Sequence, residues 1–402
     1  MKLRHQLAAY SPVTPISIAS ALLASAGMRR GAAATLRTRL LARHAAADCA
    51  LCGSGTQALQ HAMTHVLAHG KPGFIALPAF NCYDMASAAL GAGVRVALYD
   101  VDPLTLAPDL SSFAGVLAAG ASAAVVACLY GVPFEWPALA SLADRYGVPL
   151  IEDAAQGHGA TWQGTPLGAL GRVSIISFGR GKGWTGGNGG AVFTRGGEVT
   201  VKVGAAGTSA SAKVAVGLAA QWVLGRPALY GLPKSIPSLA LGETVYHAPA
   251  AVSAMTDAAA AAALSNETCS DREAQVRVTN ASRYSDALQG TRATLIAVPA
   301  GARAGYIRYP VLIAGGMRAL SPRARELGVA QSYPTTLAAL PELAGQIIPM
   351  ATSFSGADRL AADLVTLPVH SRLSHDEQSE IIALIRDGRA ELVEHGSPRA
   401  RG

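Results

Sequence analysis

Charge and aromatic residues are scarce in this 402-residue chain: 15% of it is charged and 5% aromatic, against 50% hydrophobic. That balance excludes an intrinsically disordered polymer, and neither a collagen-like repeat nor a dense cysteine framework is present. Five cysteines (Cys49, Cys52, Cys82, Cys128 and Cys269) are odd in number and scattered, which favours neither a disulfide scaffold nor a zinc site. At roughly 100–200 residues per domain, the length predicts about two domains with a large buried core. An intracellular globular protein is expected.

The formal charge is +7, from 33 Lys and Arg against 26 Asp and Glu. Much of the excess lies toward the ends, at Arg29, Arg30, Arg37, Arg39 and Arg43 and again at Arg399 and Arg401. No basic stripe interleaved with aromatics marks a nucleic-acid surface. A mild basic bias suits a phosphorylated ligand, or simply a solvated surface. The N-terminus starts basic and turns apolar, yet Pro12 and Pro15 precede a modest Ala/Ser run that continues into an Arg-rich helical pattern, so a cytoplasmic chain is expected and not a signal peptide. The uncharged window Phe113–Phe134 has the length of a membrane span. Gly115, Gly120, Gly131 and Pro133 interrupt it, and it reads as core, a buried strand followed by a loop.

Apolar runs at Phe74–Leu77, Val94–Tyr99, Ala123–Leu129, Val148–Ile151, Ser174–Phe178 and Ala191–Thr194 predict strands, with helices such as Trp136–Tyr146 between several of them. Strands separated by helices imply right-handed crossovers and an α/β domain with a mostly parallel sheet. From Val203 to Pro249 the rhythm breaks: one or two apolar helices are expected, then an irregular stretch punctuated by Pro227, Pro233, Pro237 and Pro249. Burial against the body or a partner subunit is the plainer reading of this segment, and a membrane-surface role the other. A helix from Ala250 would link a second α+β domain, with a strand at Tyr306–Ile313, helices near Arg318–Leu327 and Gly356–Leu364, and a closing helix from Ser374. The expected division is therefore 1–249, a large α/β domain carrying the 203–249 insertion, and 250–402, a linking helix with a small domain.

Three patches carry chemistry. Gly53-Ser54-Gly55-Thr56 leads into a helix, where exposed N–H groups and a hydroxyl suit a phosphate, although such residues also simply cap helices. Glu152-Asp153 closes an apolar strand at the sheet edge where open α/β sheets bind ligands. Lys182 sits between Gly181 and Gly183, just before a glycine-rich run. An isolated lysine is usually a solvated charge; held in a site, it can act as a Schiff-base nucleophile.

Taken in order, SGTQAL, Pro78 with Gly93 and Asp100 downstream, EDAAQGHGA (Glu152–Ala160) and SFGRGKGWTGGNGG (Ser177–Gly190) resemble the DegT/DnrJ-type nucleotide-sugar aminotransferases of pyridoxal phosphate fold type I. FSGADRLAADLVTLPVHSRLSHDEQ (Phe354–Gln378) is similar to that family's C-terminal segment. The resemblance implies the fold-type-I architecture, with a large cofactor-binding domain, a pyridoxal 5'-phosphate cofactor, a homodimer with the site at the subunit interface, and no metal. It makes Lys182 the Schiff-base lysine and proton shuttle and Asp153 the partner of the ring nitrogen. Gln156 would lie near the ring hydroxyl, and Gly55, Thr56 and Ser177 would hold the phosphate. His158 matches the motif's histidine, with a structural role.

Three departures stand out. Cys82 replaces the aromatic residue expected over the cofactor ring, leaving open whether Cys82 or Tyr83 covers it. Asn188 replaces a glutamate between the last glycines, and no GyNyR segment is recognisable, its place being taken by the apolar insertion and Leu241–Pro249. On the substrate side Trp184, Tyr246, His247, Arg308 and Tyr333 are candidates, against the plainer reading that each is packed or solvated. The implied activity is amino transfer from glutamate or glutamine to a keto sugar or other carbonyl compound, in secondary-metabolite or polysaccharide biosynthesis. Two alternatives are other fold-type-I chemistry on an amino acid and a non-enzymatic membrane-associated scaffold.

Overall fold

The computed structural model describes residues 4–199, 203–207, 209–234, 236 and 244–387. Leu241–Glu243 of the segment Leu241–Pro249, Pro237, and the basic Arg399 and Arg401 lie outside the described residues.

Seven strands form the main sheet: β1 (Asp48–Cys52), β2 (Phe74–Pro78), β3 (Val96–Tyr99), β4 (Ala121–Ala127), β5 (Leu150–Asp153), and, after the hairpin β6 (Thr161–Trp162) and β7 (Thr165–Pro166), β8 (Val173–Ser177) and β9 (Gly190–Thr194). Their order is β1-β9-β8-β5-β4-β2-β3. The pairings from β8 through β5, β4 and β2 to β3 are parallel, while β9 is antiparallel to both neighbours. Alternation along each strand feeds two cores. Ile75, Leu77, Ala123 and Val125 enter one, and Phe74, Ala76, Ala124 and Val126 the other, so both faces of the sheet are covered.

The helices of this unit are α1 (Pro15–Ser25), α2 (Ala32–Arg43), α3 (Gly55–His69), α4 (Asp84–Gly91), α5 (Leu110–Ala118), α6 (Trp136–Tyr146), α7 (Ala210–Leu224) and the single turn α8 (Gly231–Lys234). The window Phe113–Phe134 is core as expected: Phe113, Val125 and Val126 are fully buried on α5 and β4. Among the described residues no helix is long and apolar enough to cross a membrane.

Three expectations shift for local reasons. Strand β1 escaped sequence reading because DCALC has no β-branched residue. Its Cys49 and Cys52 stand three apart, a CxxC spacing, yet they enter opposite cores, and all five cysteines are free thiols. The linking helix α9 (Asp257–Leu288) begins later than Ala250, because Thr256 caps it by accepting from Ala259 N while Ala254 bridges Cys52 as extended chain.

Beyond α9 come β10 (Thr294–Leu295), β11 (Ala302–Arg303), β12 (Tyr309–Leu312), β13 (Ala330–Gln331) and β14 (Leu364–Leu367), with α10 (Pro322–Glu326), α11 (Ser355–Asp363) and α12 (His375–Asp387). An antiparallel sheet of order β10-β12-β14-β13 packs on the second half of α9 through Ala281, Tyr284 and Leu288. Strand β12 is shorter than Tyr306–Ile313, because Tyr306 takes a positive φ of 43° and Ile307 N–H is spent on Tyr130 O.

The first half of α9, Ala258–Ala263, is buried in the main unit, where alanines let α1, α2 and α7 approach. Within the 203–249 segment, Ala215 and Leu218 of α7 are buried, whereas Val216, Val223 and Leu224 are exposed.

Candidate active site

Strand β5 sends its last two carboxylates to opposite faces. Glu152 is fully buried and accepts from Gly168 N (2.6 Å), Leu170 N (2.9 Å), Gly171 N (2.9 Å) and Ser174 Oγ (3.0 Å), which makes it a fastener of the 168–174 turn. Asp153, half-buried, opens instead into a cavity of about 680 Å³ at the carboxyl ends of β5 and β8. Its Oδ1 accepts from Ala155 N at 2.9 Å. Burial raises its pKa, opposed by that hydrogen bond and by the charge of Lys182.

Lys182 reaches the same cavity from a loop closed on itself. Phe178 N–H donates to Gly189 O, Gly186 N–H and Thr185 Oγ1 donate to Phe178 O, and Asn266 Nδ2 of α9 donates to Thr185 O. The flanking Gly181 and Gly183 have φ of +75° and +82°, a backbone that L side chains rarely adopt.

Across the cavity stands the N-terminus of α3. Ser54 caps it by accepting from Gln57 N at 3.1 Å, and Gly55 and Thr56 form its first turn. A Cβ on Gly55 would lie 2.5 Å from Ser177 Oγ and 2.6 Å from Ser177 Cβ. Glycine there lets the helix end and the end of β8 meet at one corner of the cavity.

The structure brings Gly55, Thr56, Cys82, Asp153, Gln156, Ser177, Lys182 and His247 to this cavity. Tyr83 is not in its wall: its ring is buried and its hydroxyl meets Thr335 Oγ1 at 2.5 Å. Burial pushes the Cys82 thiol up to about 12, so it stays neutral. Gln156 accepts from Tyr130 N (2.8 Å) and donates through Nε2 to Tyr333 OH (2.9 Å).

The substrate-side expectations divide. His247 is exposed on the rim, its Nδ1 3.8 Å from Asp84 Oδ1. Trp184 is buried in a neighbouring cavity of about 280 Å³, donating to Ala263 O and edge-on to Phe178. Tyr246 packs against the core, Arg308 lies over the Tyr130 ring at 5.7 Å, and Tyr333 is buried behind Gln156; none of the three lines the cavity. Of these five candidates the cavity wall therefore holds His247, and Trp184, Tyr246, Arg308 and Tyr333 lie outside it.

His158 is structural in its surroundings, tilted against Trp184 and packed on Gly183. Burial and the Arg277 and Arg43 charges lower its pKa to about 3.

Sequence reasoning missed Asn81. It accepts from Cys82 N at 2.7 Å and is almost fully buried in the wall, with no partner for Nδ2 among the described residues.

The donor set fits pyridoxal phosphate on this structure's own terms. A lysine and a carboxylate share one cavity; burial raises that carboxylate, a state a ring N–H⁺ would relieve; a helix N-terminus with two hydroxyls stands opposite; and the Asn81 amide is an uncommitted buried donor.

Comparison with known proteins agrees in direction. The chain is 36% identical over 180 residues to L-glutamine:2-deoxy-scyllo-inosose aminotransferase of Streptomyces paromomycinus, covering 44% of this chain and 42% of that protein. It is 34% identical over 157 residues to 3-amino-5-hydroxybenzoate synthase of Amycolatopsis mediterranei, covering 39% and 40%. The match thus spans about two-fifths of the length of these curated relatives. The crystal structure of the sugar aminotransferase CalS13 from Micromonospora echinospora superposes with a TM-score of 0.74 over 96% of this chain and 100% of that one, at 22% identity, which shows a shared fold. The profile of the DegT/DnrJ/EryC1/StrS aminotransferase family matches residues 20–386, and the chain belongs to that family.

Proposed function

We propose that this protein is a pyridoxal phosphate-dependent aminotransferase that moves an amino group from glutamine or glutamate to the ketone of a sugar or a related polyhydroxylated ring, in secondary-metabolite or polysaccharide biosynthesis. The observation that carries this reading is the meeting of Lys182 and Asp153 in one cavity opposite the N-terminus of α3. Relatives named for amino transfer from glutamine to inososes support the donor and the acceptor class.

Bound pyridoxal phosphate supplies the electron sink that makes the donor Cα–H acidic and carries nitrogen between the two half reactions. The chain's residues do the rest. Lys182 would hold the cofactor at its carbonyl carbon, and its Nζ, once displaced by the donor amine, would move the proton from the donor Cα to that cofactor carbon. Asp153 would pair with the ring nitrogen and hold a positive charge there. Ser177 Oγ, Thr56 and the first N–H groups of α3 would hold the phosphate. Cys82, uncharged, would cover the ring, and Gln156 would serve the ring oxygen.

This reading also carries a homodimer in the cytoplasm, with the large cofactor-binding unit ending near residue 249. The exposed Ile16, Leu22 and Leu23 of α1 and Val216 and Val223 of the adjacent α7 support a covered surface.

The test is the visible spectrum of the purified protein beside Lys182→Ala. A band that borohydride fixes to Lys182, and that bleaches with glutamine or glutamate and returns with a keto-inositol or nucleotide keto-sugar, is expected. Wild-type protein that takes up no cofactor would sink the reading; bleaching with no acceptor ever restoring the band would favour other amino-acid chemistry.

A further inference from the structure

A strap of the C-terminal unit, residues 332–337 after β13, ties the 79–83 turn, which carries Asn81 and Cys82 of the cavity wall, to Tyr130 behind the wall and to Gln156 in it. Leu337 N–H donates to Ala79 O at 2.7 Å, and the Tyr83 hydroxyl meets Thr335 N at 3.2 Å. The Ser332 hydroxyl meets that of Tyr130, and the Tyr333 hydroxyl accepts from Gln156 Nε2 at 2.9 Å. Tyr333 is 4% exposed and does not line the cavity, whereas Gln156, 8% exposed, does.

Gln156 has one acceptor atom and two Nε2 hydrogens. Its Oε1 is committed to Tyr130 N–H, which fixes which end of the planar amide is which. Tyr130 holds that N–H in place from a left-handed backbone, φ 57° and ψ 11°, with its carbonyl bound by Ile307 N–H. One Nε2 hydrogen goes to Tyr333, and planarity then sets the direction of the other.

We propose that Tyr333 is a positioning residue that fixes the Gln156 amide so that its second Nε2 hydrogen is presented to the ring oxygen of the bound cofactor; this rests on the reading of the cavity as a pyridoxal phosphate site. A donor at that oxygen stabilises its anionic form, so losing it lets the chromophore keep its proton to higher pH. Phenylalanine at 333 keeps the ring contact with Phe80, 5.3 Å between centroids, and removes only the hydroxyl.

Tyr333→Phe is expected to raise the pH midpoint of the visible band by roughly half to one unit. It is also expected to weaken apoprotein binding of pyridoxal phosphate by roughly three- to tenfold, while leaving the affinity for 3-deoxypyridoxal phosphate, which lacks the ring hydroxyl, at the wild-type value. Ser332→Ala, on the same strap but bonded to Tyr130, leaves midpoint and affinity unchanged. Gln156→Ala alone raises the midpoint at least as far, and adding Tyr333→Phe to it changes nothing more. An unmoved midpoint in Tyr333→Phe or in Gln156→Ala, equal weakening for both cofactors, or equal shifts in the Tyr333 and Ser332 variants would overturn the proposal. Failure of wild-type protein to take up pyridoxal phosphate would instead overturn the reading of the cavity.

Discussion

Glu152 and Asp153 leave β5 on opposite faces, and that alternation separates a structural carboxylate from a chemical one. Three backbone N–H groups and the Ser174 hydroxyl point at Glu152. Glutamine there would turn an N–H₂ toward N–H donors, so Glu152→Gln should cost about 2–4 kcal/mol in urea unfolding. Asp153→Asn should behave in the opposite sense. Burial raises the folded pKa of Asp153 above its ordinary 3.8, so its stabilising contribution is complete below that pH and is lost as pH rises through the folded value. The cofactor-free Asn variant should therefore be at least as stable as the parent at pH 7 and lose that advantage near pH 4, while amino transfer falls by roughly 10²–10⁴-fold. A large drop in apoprotein stability at pH 7 would assign Asp153 a structural role instead. The sequence offered both acids side by side. Resemblance singled out Asp153, but what Glu152 does depends on the 168–174 turn coming back beneath it, a contact across sixteen to twenty-two residues.

The junction of α3 with β8 shows the same limit at the scale of elements. SGT before a helical pattern was readable as a phosphate cradle or as a plain cap, and the structure has the cap, with Ser54 bonded to Gln57, in the wall of the cavity. What requires glycine at 55 is Ser177, which no local pattern reveals. Gly55→Ala should destabilise by about 1–3 kcal/mol and weaken pyridoxal phosphate binding, and because the clash involves both Oγ and Cβ of Ser177, Ser177→Gly should recover stability where Ser177→Ala does not. Equal stability of Gly55→Ala and wild type in thermal unfolding would mean that the junction opens without cost. The apolar helix α7 was legible as a helix from its composition, but not which side it buries. Leu218 is the fully buried contact because Gly187, at φ +82°, presents no Cβ: one placed there would lie 3.0 Å from Leu218 Cγ. Trp184 and Tyr333, candidates as contacts to a substrate, do not line the larger cavity for the same reason: which side of a loop buries an aromatic ring is a tertiary fact.

Across the whole molecule, the two sheets are joined by more than the α9 rod. Gln6 near the N-terminus donates to Arg372 O and Glu377 in the C-terminal unit, and Asp100 at the end of β3 accepts from Gly356 and Ala357 N–H at the start of α11. Alternating strands and helices made the main sheet predictable, whereas these ties depend on single polar side chains that carry no periodic signal. The main unit also holds three histidines that folding keeps neutral. Burial lowers His44 and His158 to about 3, helped by neighbouring arginines, and His61 to about 4, helped by His65. A pKa depressed below 6.5 means that the unfolded chain takes up protons the folded one refuses, so the contribution is present above that pH and is lost as pH falls toward the folded values. Each histidine should cost about 1–2 kcal/mol by pH 5. His61 is the cleanest probe, because it is fully buried in α3 and neither ring nitrogen has a partner among the described residues. His61→Leu should match or exceed the wild type in urea unfolding at pH 7 and lose about 1–2 kcal/mol less than it on going to pH 5. If both proteins lose the same amount, the acid sensitivity arises elsewhere, and the ion pairs of Arg43 with Asp271 and Glu267, which bind α2 to α9, become the groups to remove next.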